Sequence, residues 1–495
     1  MFAREALIKY DCLPQRREGR PLLRLPRSRH SYVPVHHKEK YWIINGKNFA
    51  LSAPLRRKLL IQKFPRFIAA FLLLAASAIA VAGPKIEHWT LANGVRVYFV
   101  PARELPMVQL RAVFDAAAQR DPADKPGLAN LTSSMLHEGT DGLTVDDIAR
   151  RFEGWGAEFS AGADREMATV SLRSLSDSAL LEPAVDLFTR LIAAPSFPEP
   201  SLVRERARLR VGLQKERQNP GAVVQRAFMR ALYGDHPYAH EPVGDEAGLD
   251  AIGREDLIMH HRRYYTGNNA LLVVVGNLSE REARRLSERV LGGLPAGEAA
   301  ALTPPVGDIE AREETIRFPA TQSHIRLGQP GISRQDPDYF PLLVGNYTLG
   351  GGGLVSRLSV EVREQRGLSY SVYSYFQPMR ERGLFMLGLQ TRNDQRHEAL
   401  AVVRRVLADF VANGPTEPEL QAAKQHLTGS FPLRLDSGGK IADQLAAIGF
   451  YRLPLSYLDD FIPSVEKVTV QQVRDAFRRR VQPDKLATVI VGGER

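Results

Sequence analysis

Cysteine is almost absent from this sequence, and its absence restricts the kinds of site that the chain can hold. The one cysteine, Cys12, lies in an N-terminal segment whose composition differs from that of the rest. Residues 83–495 therefore contain neither a disulfide nor a cysteine metal site. The cellular compartment has to be inferred from targeting signals alone.

The main part of the chain also lacks an excess of charge. The whole sequence has a formal net charge of +10, which by itself suggests nucleic acid or an anionic membrane as a partner. Residues 1–82, however, carry 16 of the 66 Lys and Arg residues and 4 of the 56 Asp and Glu residues, which leaves 50 basic and 52 acidic residues. A nearly neutral body gives no support for a nucleic-acid partner.

No apolar run is long enough to predict a transmembrane helix with its usual flanks. The run from Phe67 to Ala82 follows the basic residues Arg56, Arg57 and Lys58 and ends in Ala-Val-Ala. This order predicts a basic leader at 1–82 with a signal peptide whose apolar region is 67–82, and therefore a periplasmic or secreted protein. The alternative is an uncleaved membrane anchor. For residues 1–50, disorder and a start codon placed too far upstream stay open as explanations.

Strands and helices mix irregularly after the leader, which predicts an α+β fold. Asn93-Gly94 between β-rich runs predicts a hairpin over 88–100. Further strands are predicted at 108–114, 168–172 and 269–276, and helices around 145–155, within 176–217 and at 254–265.

The second half of the body repeats the first at a fixed offset. A shift of 216 residues places Arg262-Arg263 on Arg478-Arg479 and the run from Val273 to Gly276 on the run from Val489 to Gly492. Each pair is an amphipathic helix, a polar turn and a strand that ends in glycine. The repeat predicts two homologous domains, at 83–295 and 315–495, joined by a linker at 296–314 that is rich in Ala, Pro, Gly and Glu.

The stretch from Lys125 to Thr140 predicts a buried helix with one apolar stripe. Pro126-Gly127 marks its start, apolar residues recur at helical spacing, and Gly139 marks its end. This frame resembles the active-site helix of the pitrilysin/insulinase peptidase family, the inverted zincins, whose motif is His-x-x-Glu-His. Membership would imply two homologous α/β-roll domains, each a mixed sheet with flanking helices, that form half of a clamshell around a chamber.

The metal-binding residues of that motif are missing here. The positions of the two zinc-binding histidines and the intervening glutamate are occupied by Asn130, Ser133 and Ser134, whose amide and hydroxyl oxygens are poor zinc ligands. The family's third ligand, a distal glutamate, corresponds to Val211 or Gly212. The resemblance therefore predicts a subunit that binds no metal itself.

Other arrangements could supply chemistry in principle, but each lacks an essential part. His137, Glu138 and Asp141 look like a shifted zinc motif, yet Gly139 interrupts the helix that would align them, so an exposed helix end is favoured. Ser133 and Ser134 lack a nucleophile elbow. His236 and His240 have no companion ligands nearby, which favours loop packing.

The second half keeps features that resemble the family's substrate segment. Arg363 and Tyr370, seven residues apart, match an Arg and a Tyr that reach into the active chamber. A guanidinium and a phenol can donate hydrogen bonds to a peptide carbonyl and to the oxyanion formed from it. A surface arginine and an ordinary strand tyrosine are the alternative.

The glycine run Gly350, Gly351, Gly352 and Gly353 lacks the Lys and Ser/Thr of a P-loop. It is similar to the glycine-rich loop of the non-catalytic subunit of mitochondrial processing peptidase, which takes part in substrate binding. A flexible loop that lets backbone approach an extended peptide is the predicted role; a tight helix approach is the alternative.

These features predict the non-catalytic, substrate-binding subunit of a heterodimeric zinc metallopeptidase for short peptides. A homologous partner would hold the zinc, and this chain would supply Arg363 and Tyr370 in trans. No cofactor is expected in this chain, and membrane contact only if the signal segment stays uncleaved. The alternative is a scaffold of the same fold with no role in proteolysis.

Overall fold

The computed structural model describes residues 83–493, so the predicted leader and signal peptide at 1–82 lie outside the described residues. The described part contains a six-stranded sheet, a five-stranded sheet and a short two-stranded ribbon, with helices packed around the sheets. This mixed architecture confirms the predicted α+β fold class. Among the helices of residues 83–493, none combines the length and apolar character that crossing a bilayer requires.

The first half contains the six-stranded sheet. Its strands, including the two-stranded ribbon, are β1 (Glu87–Thr90), β2 (Arg96–Pro101), β3 (Met107–Phe114), β4 (Gly139–Thr140), β5 (Leu143–Thr144), β6 (Glu158–Ala163), β7 (Ala168–Leu175) and β8 (Ala270–Gly276). Its helices are α1 (Leu128–Ser134), α2 (Val145–Gly154), α3 (Ser178–Ala193), α4 (Glu199–Arg217), α5 (Pro220–Tyr233), α6 (Glu246–Ala251), α7 (Arg254–Tyr264) and α8 (Glu280–Leu291).

Local sequence signals explain why many of these elements begin and end where they do. The predicted hairpin forms between β1 and β2, and Gly94 in its turn has φ of 93°, a conformation that glycine adopts without strain. Thr144 and Ser279 cap α2 and α8 in reciprocal capping boxes. Every residue of β8 is buried, as expected for an apolar strand in the middle of a sheet.

The second half contains the five-stranded sheet. Its strands are β9 (Arg312–Ile316), β10 (Ala320–Pro330), β11 (Val372–Gln377), β12 (Leu384–Arg392) and β13 (Ala487–Gly493). Its α-helices are α9 (Tyr339–Asn346), α10 (Arg396–Asn413), α11 (Glu417–Ser430), α12 (Gly438–Phe450), α13 (Tyr457–Glu466) and α14 (Val470–Arg480). Two π-helical turns, 347–351 and 359–364, follow α9.

The two sheets share one topology. The first has the order β1-β2-β8-β3-β7-β6, and the second has β9-β13-β10-β12-β11, which is the same order without a counterpart of β1. In both, one parallel pair (β2 with β8, β9 with β13) sits beside antiparallel neighbours. The helix and strand that end each half also match at the predicted offset: α7 begins at Arg254 and α14 at Val470. The halves are therefore structural repeats.

Near the end of the last strand of each repeat, a glycine is required for the same steric reason. Gly276 and Gly492 both have φ of 156°. A Cβ atom would lie 2.4 Å from the carbonyl oxygen of Met107 at the first and 2.7 Å from Cα of Ser323 at the second. Only glycine allows the neighbouring strand to approach this closely.

The halves exchange one helix each, which the sequence did not predict. Helix α5 of the first half packs on β10 and β13 of the second sheet, where Phe228 faces Gly328. Helix α12 of the second half packs on β3 and β8 of the first sheet, and its Gly449 lies against the ring of Tyr98 on the adjacent strand β2. Each half thus completes the other's core.

Removing the ring of Phe228 tests this exchange. Phe228 is fully buried, so Phe228→Ala should lower the free energy of unfolding by about 3–5 kcal/mol. Because the lost contacts lie on the second sheet, hydrogen exchange should accelerate in β10 and β13 rather than in β3 and β8. The control is Leu302→Ala, since Leu302 is 89% exposed and its truncation should change stability by less than about 0.5 kcal/mol. Faster hydrogen exchange confined to the first sheet would contradict the packing of α5 on the second sheet.

The predicted domain boundaries at 295 and 315 stay a prediction. Residues 297–311 contain no helix or strand. Strand β9 begins at Arg312, so the last three residues of the predicted linker lie in a strand.

Candidate functional site

Helix α1 carries the three positions at which the family's zinc motif was expected, and its side chains are occupied with structural contacts. The Asn130 amide donates to the carbonyl oxygen of Ala163 on β6 at 3.4 Å. The Ser134 hydroxyl donates to Leu131 O within its own helix at 3.0 Å. Ser133 is fully buried, and its hydroxyl has no hydrogen-bond partner among the described residues. These residues do not fit a zinc ion.

The helix is shorter than predicted. It ends at Ser134, and Gly139 lies in strand β4 instead of marking the end of the helix. Thr132 and Ser134 both donate to carbonyl groups of their own helix. Such side-chain bonds compete with continuation of the helix, which explains its early end.

Asp121 caps the start of α1 from a buried position. Its carboxylate accepts hydrogen bonds from the backbone N–H groups of Gly127 at 2.7 Å and Ala129 at 2.8 Å. Burial raises the pKa of the Asp121 carboxyl to about 7, although both hydrogen bonds oppose that shift. The loop before α1 is therefore held by a group that titrates near neutral pH.

This pKa predicts a contribution to the pH dependence of stability. The folded-state pKa lies above the unfolded one, so the contribution is complete below about pH 4 and is lost as the pH rises through about 7. We expect the free energy of unfolding to fall by on the order of 4 kcal/mol across this window because of Asp121. Asp121→Asn keeps an acceptor oxygen but does not titrate, so its profile should be flatter. The free energy of unfolding is measured by urea unfolding at several pH values. The same pH dependence in the parent and in Asp121→Asn would contradict this assignment.

The distal ligand position lies on α4 and also lacks a ligand. Val211 is 52% exposed, and a Cβ atom at Gly212 would meet nothing within 4 Å. Over residues 83–493 as a whole, no group of three or more His, Cys, Asp or Glu side chains is arranged to hold a metal ion. The space at Gly212 is open, but the side chain that would bind metal there is missing.

The alternatives considered from the sequence have structural contacts. The expected exposed helix end is wrong at Glu138, which lies beyond the end of α1, is 5% exposed and pairs with Arg204 on α4. His236 accepts a hydrogen bond from the N–H of Tyr238, and its other ring nitrogen lies 2.9 Å from Pro304 O. His240 contacts the backbone of Ala118. Both histidines thus take part in loop packing.

Arg363 and Tyr370 come together in the structure. Arg363 lies in the second π-helical turn, and Tyr370 lies two residues before β11. The guanidinium carbon of Arg363 is 4.5 Å from the centre of the Tyr370 ring, a cation–π contact. Arg363 is half-buried, and Tyr370 is 74% exposed. The contact places a guanidinium and a phenol side by side at an accessible surface.

The glycine run is a packed turn at its start and open at its end. A Cβ atom at Gly350 would lie 2.5 Å from the N–H nitrogen of Ser374 on β11, and one at Gly352 would lie 2.8 Å from Tyr347 O. At Gly351 the obstacle is the amide nitrogen of Asn346, at 2.7 Å. Gly353 has φ of 62° and open space around it. The predicted flexible loop therefore differs from the structure at its first three positions, where close approach requires glycine, whereas Gly353 leaves backbone accessible.

A buried polar network, which the sequence did not predict, joins the two halves. Glu166 is 2% exposed and accepts hydrogen bonds from the hydroxyls of Tyr238 at 2.5 Å and Tyr451 at 2.8 Å, and from the N–H of Arg380. The Arg380 side chain also pairs with Asp115 in the first half. Burial raises the pKa of Glu166, and its hydrogen bonds oppose the shift. No local motif marks these residues, because they are spread between positions 115 and 451 of the chain and come together only after folding.

Comparison with family models supports the resemblance across most of the body. Residues 102–246 match the family described as insulinase (peptidase family M16), and residues 251–427 match the peptidase M16 inactive domain. A crystal structure described as a peptidase M16 inactive domain from Pseudomonas fluorescens is 43% identical, with a TM-score of 0.80. The match covers 82% of this chain and 97% of that one.

Some of the more distant relatives are named as proteases, and one is named as a non-peptidase homolog. A Bacillus subtilis protein named uncharacterized zinc protease YmxG is 25% identical over 409 residues, covering 82% of this chain and 98% of its own length. A Helicobacter pylori protein named non-peptidase homolog YmxG is 24% identical over 396 residues, with coverages of 79% and 90%. A crystal structure of a protease from Helicobacter pylori shares the fold at 18% identity and a TM-score of 0.75, covering 83% of this chain and all of that one.

Proposed function

The chain belongs to the insulinase (M16) peptidase family, and we propose that it is the non-catalytic, substrate-binding subunit of a heterodimeric zinc metallopeptidase. The zinc would be held by a homologous partner chain with an intact His-x-x-Glu-His motif. Within this chain the zinc positions are occupied by Asn130, Ser133 and Ser134. Asn130 contacts β6, Ser134 bonds within its own helix, and Ser133 is buried.

The observation that carries this proposal is the contact between Arg363 and Tyr370. Their 4.5 Å approach brings several N–H donors and one O–H donor to a single place on an accessible surface. A peptide carbonyl oxygen there would accept hydrogen bonds from both side chains, and the bonds would strengthen as negative charge develops on that oxygen. A residue pair that served packing alone would not need the 74% exposure of Tyr370.

The fold favours extended peptides as the substrate class. Strands β6 and β11 each lie at one end of their sheet, so within residues 83–493 each has one edge that pairs with no further strand. An extended peptide can pair with such an edge through main-chain hydrogen bonds, which do not depend on its sequence. Asn130 lies beside β6, and Gly350 packs against β11, so one of these strands borders the degenerate zinc motif and the other borders the glycine run.

The proposed location is the periplasm or the extracellular space. It is supported by the order of basic and apolar residues up to Ala82, which precede the described part of the chain. Peptides released by other proteases there would be available as substrates.

Co-expression with a zinc-motif homologue tests the partnership. We expect the two chains to co-purify and to elute as a complex of one copy of each, as measured by size-exclusion chromatography with light scattering. The complex should hydrolyse a short fluorogenic peptide, whereas this chain alone should not. If the chains elute separately at micromolar concentration and the homologue alone accounts for all hydrolysis, the proposal is wrong.

A further inference from the structure

A buried arginine that forms no ion pair within residues 83–493 lies on the face of the second sheet that α5 covers. Arg326 in β10 is only 8% exposed. Its Nε has no hydrogen-bond partner, and its one hydrogen bond runs from Nη1 to Ile325 O at 3.3 Å. Within residues 83–493 no carboxylate pairs with it. A buried charge without compensation is costly, so a fold that retains one usually uses it.

Arg326 packs against a glycine of β12 and a tyrosine of β11. The guanidinium lies over Gly388 of β12, where an added Cβ atom would be 2.6 Å from Nη1 of Arg326 and 2.8 Å from the Tyr373 hydroxyl. The Tyr373 ring lies 5.5 Å from the guanidinium carbon. Glycine at 388 therefore lets the guanidinium of Arg326 and the phenol of Tyr373 pack directly against the backbone of β12.

A second unpartnered polar group lies on the same face. His324 is two residues before Arg326 on β10, and its Nδ1 is buried with no hydrogen-bond partner. Burial, followed by the charge of Arg326, lowers the pKa of His324, so the ring is neutral near pH 7. An added Cβ atom at Gly221 would lie 3.6 Å from that nitrogen, so the positive N-terminal end of α5 is adjacent. The local electrostatics favour an anion.

The charge and shape of the site favour a carboxylate. One guanidinium supplies a single positive charge, which matches a monoanion better than a phosphate with nearly two negative charges. The Nε–H and an Nη–H of arginine form a planar fork that fits the two oxygens of a carboxylate.

The distance to the Arg363–Tyr370 pair suggests which carboxylate binds. Tyr373 is three residues after Tyr370, so their Cα atoms are at most about 11 Å apart. An extended peptide would cover that distance with about three residues. Resting on the proposed function, we propose that Arg326, with His324 and Tyr373, binds the C-terminal carboxylate of the short peptide whose carbonyl contacts Arg363 and Tyr370.

Peptide binding to the full chain tests this carboxylate site, which we call the anchor, and the measurement does not require catalytic turnover. The probes are three fluorescein-labelled alanine-rich peptides: one with a free C-terminal carboxylate, one ending in an amide, and one ending in an amide after a final Asp. Fluorescence anisotropy should give roughly ten- to hundredfold tighter binding of the free acid than of either amide. Arg326→Gln should reduce that ratio to about one. Arg392→Gln is the control, since Arg392 is exposed and pairs with Asp394, and it should preserve the ratio.

Each of the other possible outcomes would contradict a specific part of the proposal. Equal binding of acid and amide by the parent would exclude the anchor and leave the proposed function intact, as would a preference that persists in Arg326→Gln. Binding of the Asp-amide peptide as tight as that of the free acid would assign the site to side-chain carboxylates instead. If no peptide binds to the folded chain, both the proposed function and the anchor are wrong. The unfolding midpoint of Arg326→Gln should stay equal or rise, because the variant removes an uncompensated buried charge; a fall of several degrees with an unchanged binding ratio would make Arg326 structural.

Discussion

Arg363→Ala in the complex with the zinc-bearing homologue should lower kcat for a short peptide by about 10²- to 10³-fold. This is the usual consequence of removing one donor to the oxygen that gains charge in the transition state. Tyr370→Phe should have a smaller effect in the same direction, because it removes the hydroxyl but keeps the ring under the guanidinium. The measurement is steady-state hydrolysis of a fluorogenic peptide by the purified complex.

The control for this comparison lies in the same segment. Arg366 pairs with Glu361 instead of contacting Tyr370, so Arg366→Ala should retain the turnover of the parent within about twofold. Complexes that form normally and turn over equally with Arg363→Ala would support the scaffold interpretation and exclude the proposed role.

Restoring the ligands should restore metal binding. The variant with Asn130→His, Ser134→His and Gly212→Glu should bind about one zinc per chain with a free energy on the order of 10 kcal/mol, whereas the parent should bind none tightly. Histidines at 130 and 134 are one turn apart on α1, and the position of Gly212 is open enough for a longer side chain. Ser133 is left unchanged because it is fully buried, and a carboxylate there would be costly.

Two comparison variants make the result specific. The double variant without the distal glutamate should bind zinc more weakly, since it supplies only two ligands. Moving the glutamate to Val211 distinguishes between the two positions that the sequence left open. No stoichiometric zinc in either triple variant would contradict the assignment of these positions to the family's three ligand positions.

The repeat, the hairpin and most of the helices could be predicted because their signals are local. Glycine at 94 specifies a turn by itself, and the offset of 216 residues is visible without any structure. The strand order of the two sheets confirms what that offset predicted. Helix α1 was predicted too long because Thr132 and Ser134 bond to their own helix, a choice that apolar periodicity does not reveal.

The remaining features depend on contacts between distant parts of the chain. The apolar face of α5 fits either sheet equally well by pattern, so the sequence did not show that Phe228 packs against Gly328. The hydrogen bonds of Glu166 to Tyr238 and Tyr451 join residues 72 and 285 positions apart. That no carboxylate of residues 83–493 pairs with Arg326 can be recognised only once its neighbours in space are known.

At the site itself, the resemblance gave the residues and the structure gave their arrangement. The sequence placed Arg363 and Tyr370 in one segment but did not show that their side chains touch. The glycine run was expected to be flexible throughout, whereas the packing of Gly350 against β11 shows that part of it is needed for close approach.

Zinc content is the most direct test of whether this chain works only beside a metal-holding partner. Metal analysis by mass spectrometry on the separately purified chain should find no stoichiometric zinc, and the complex with its homologue should contain about one zinc for each pair of chains. Chelation should abolish peptide cleavage by the complex. One tightly held zinc in the separate chain, together with chelator-sensitive cleavage by that chain alone, would contradict the proposal.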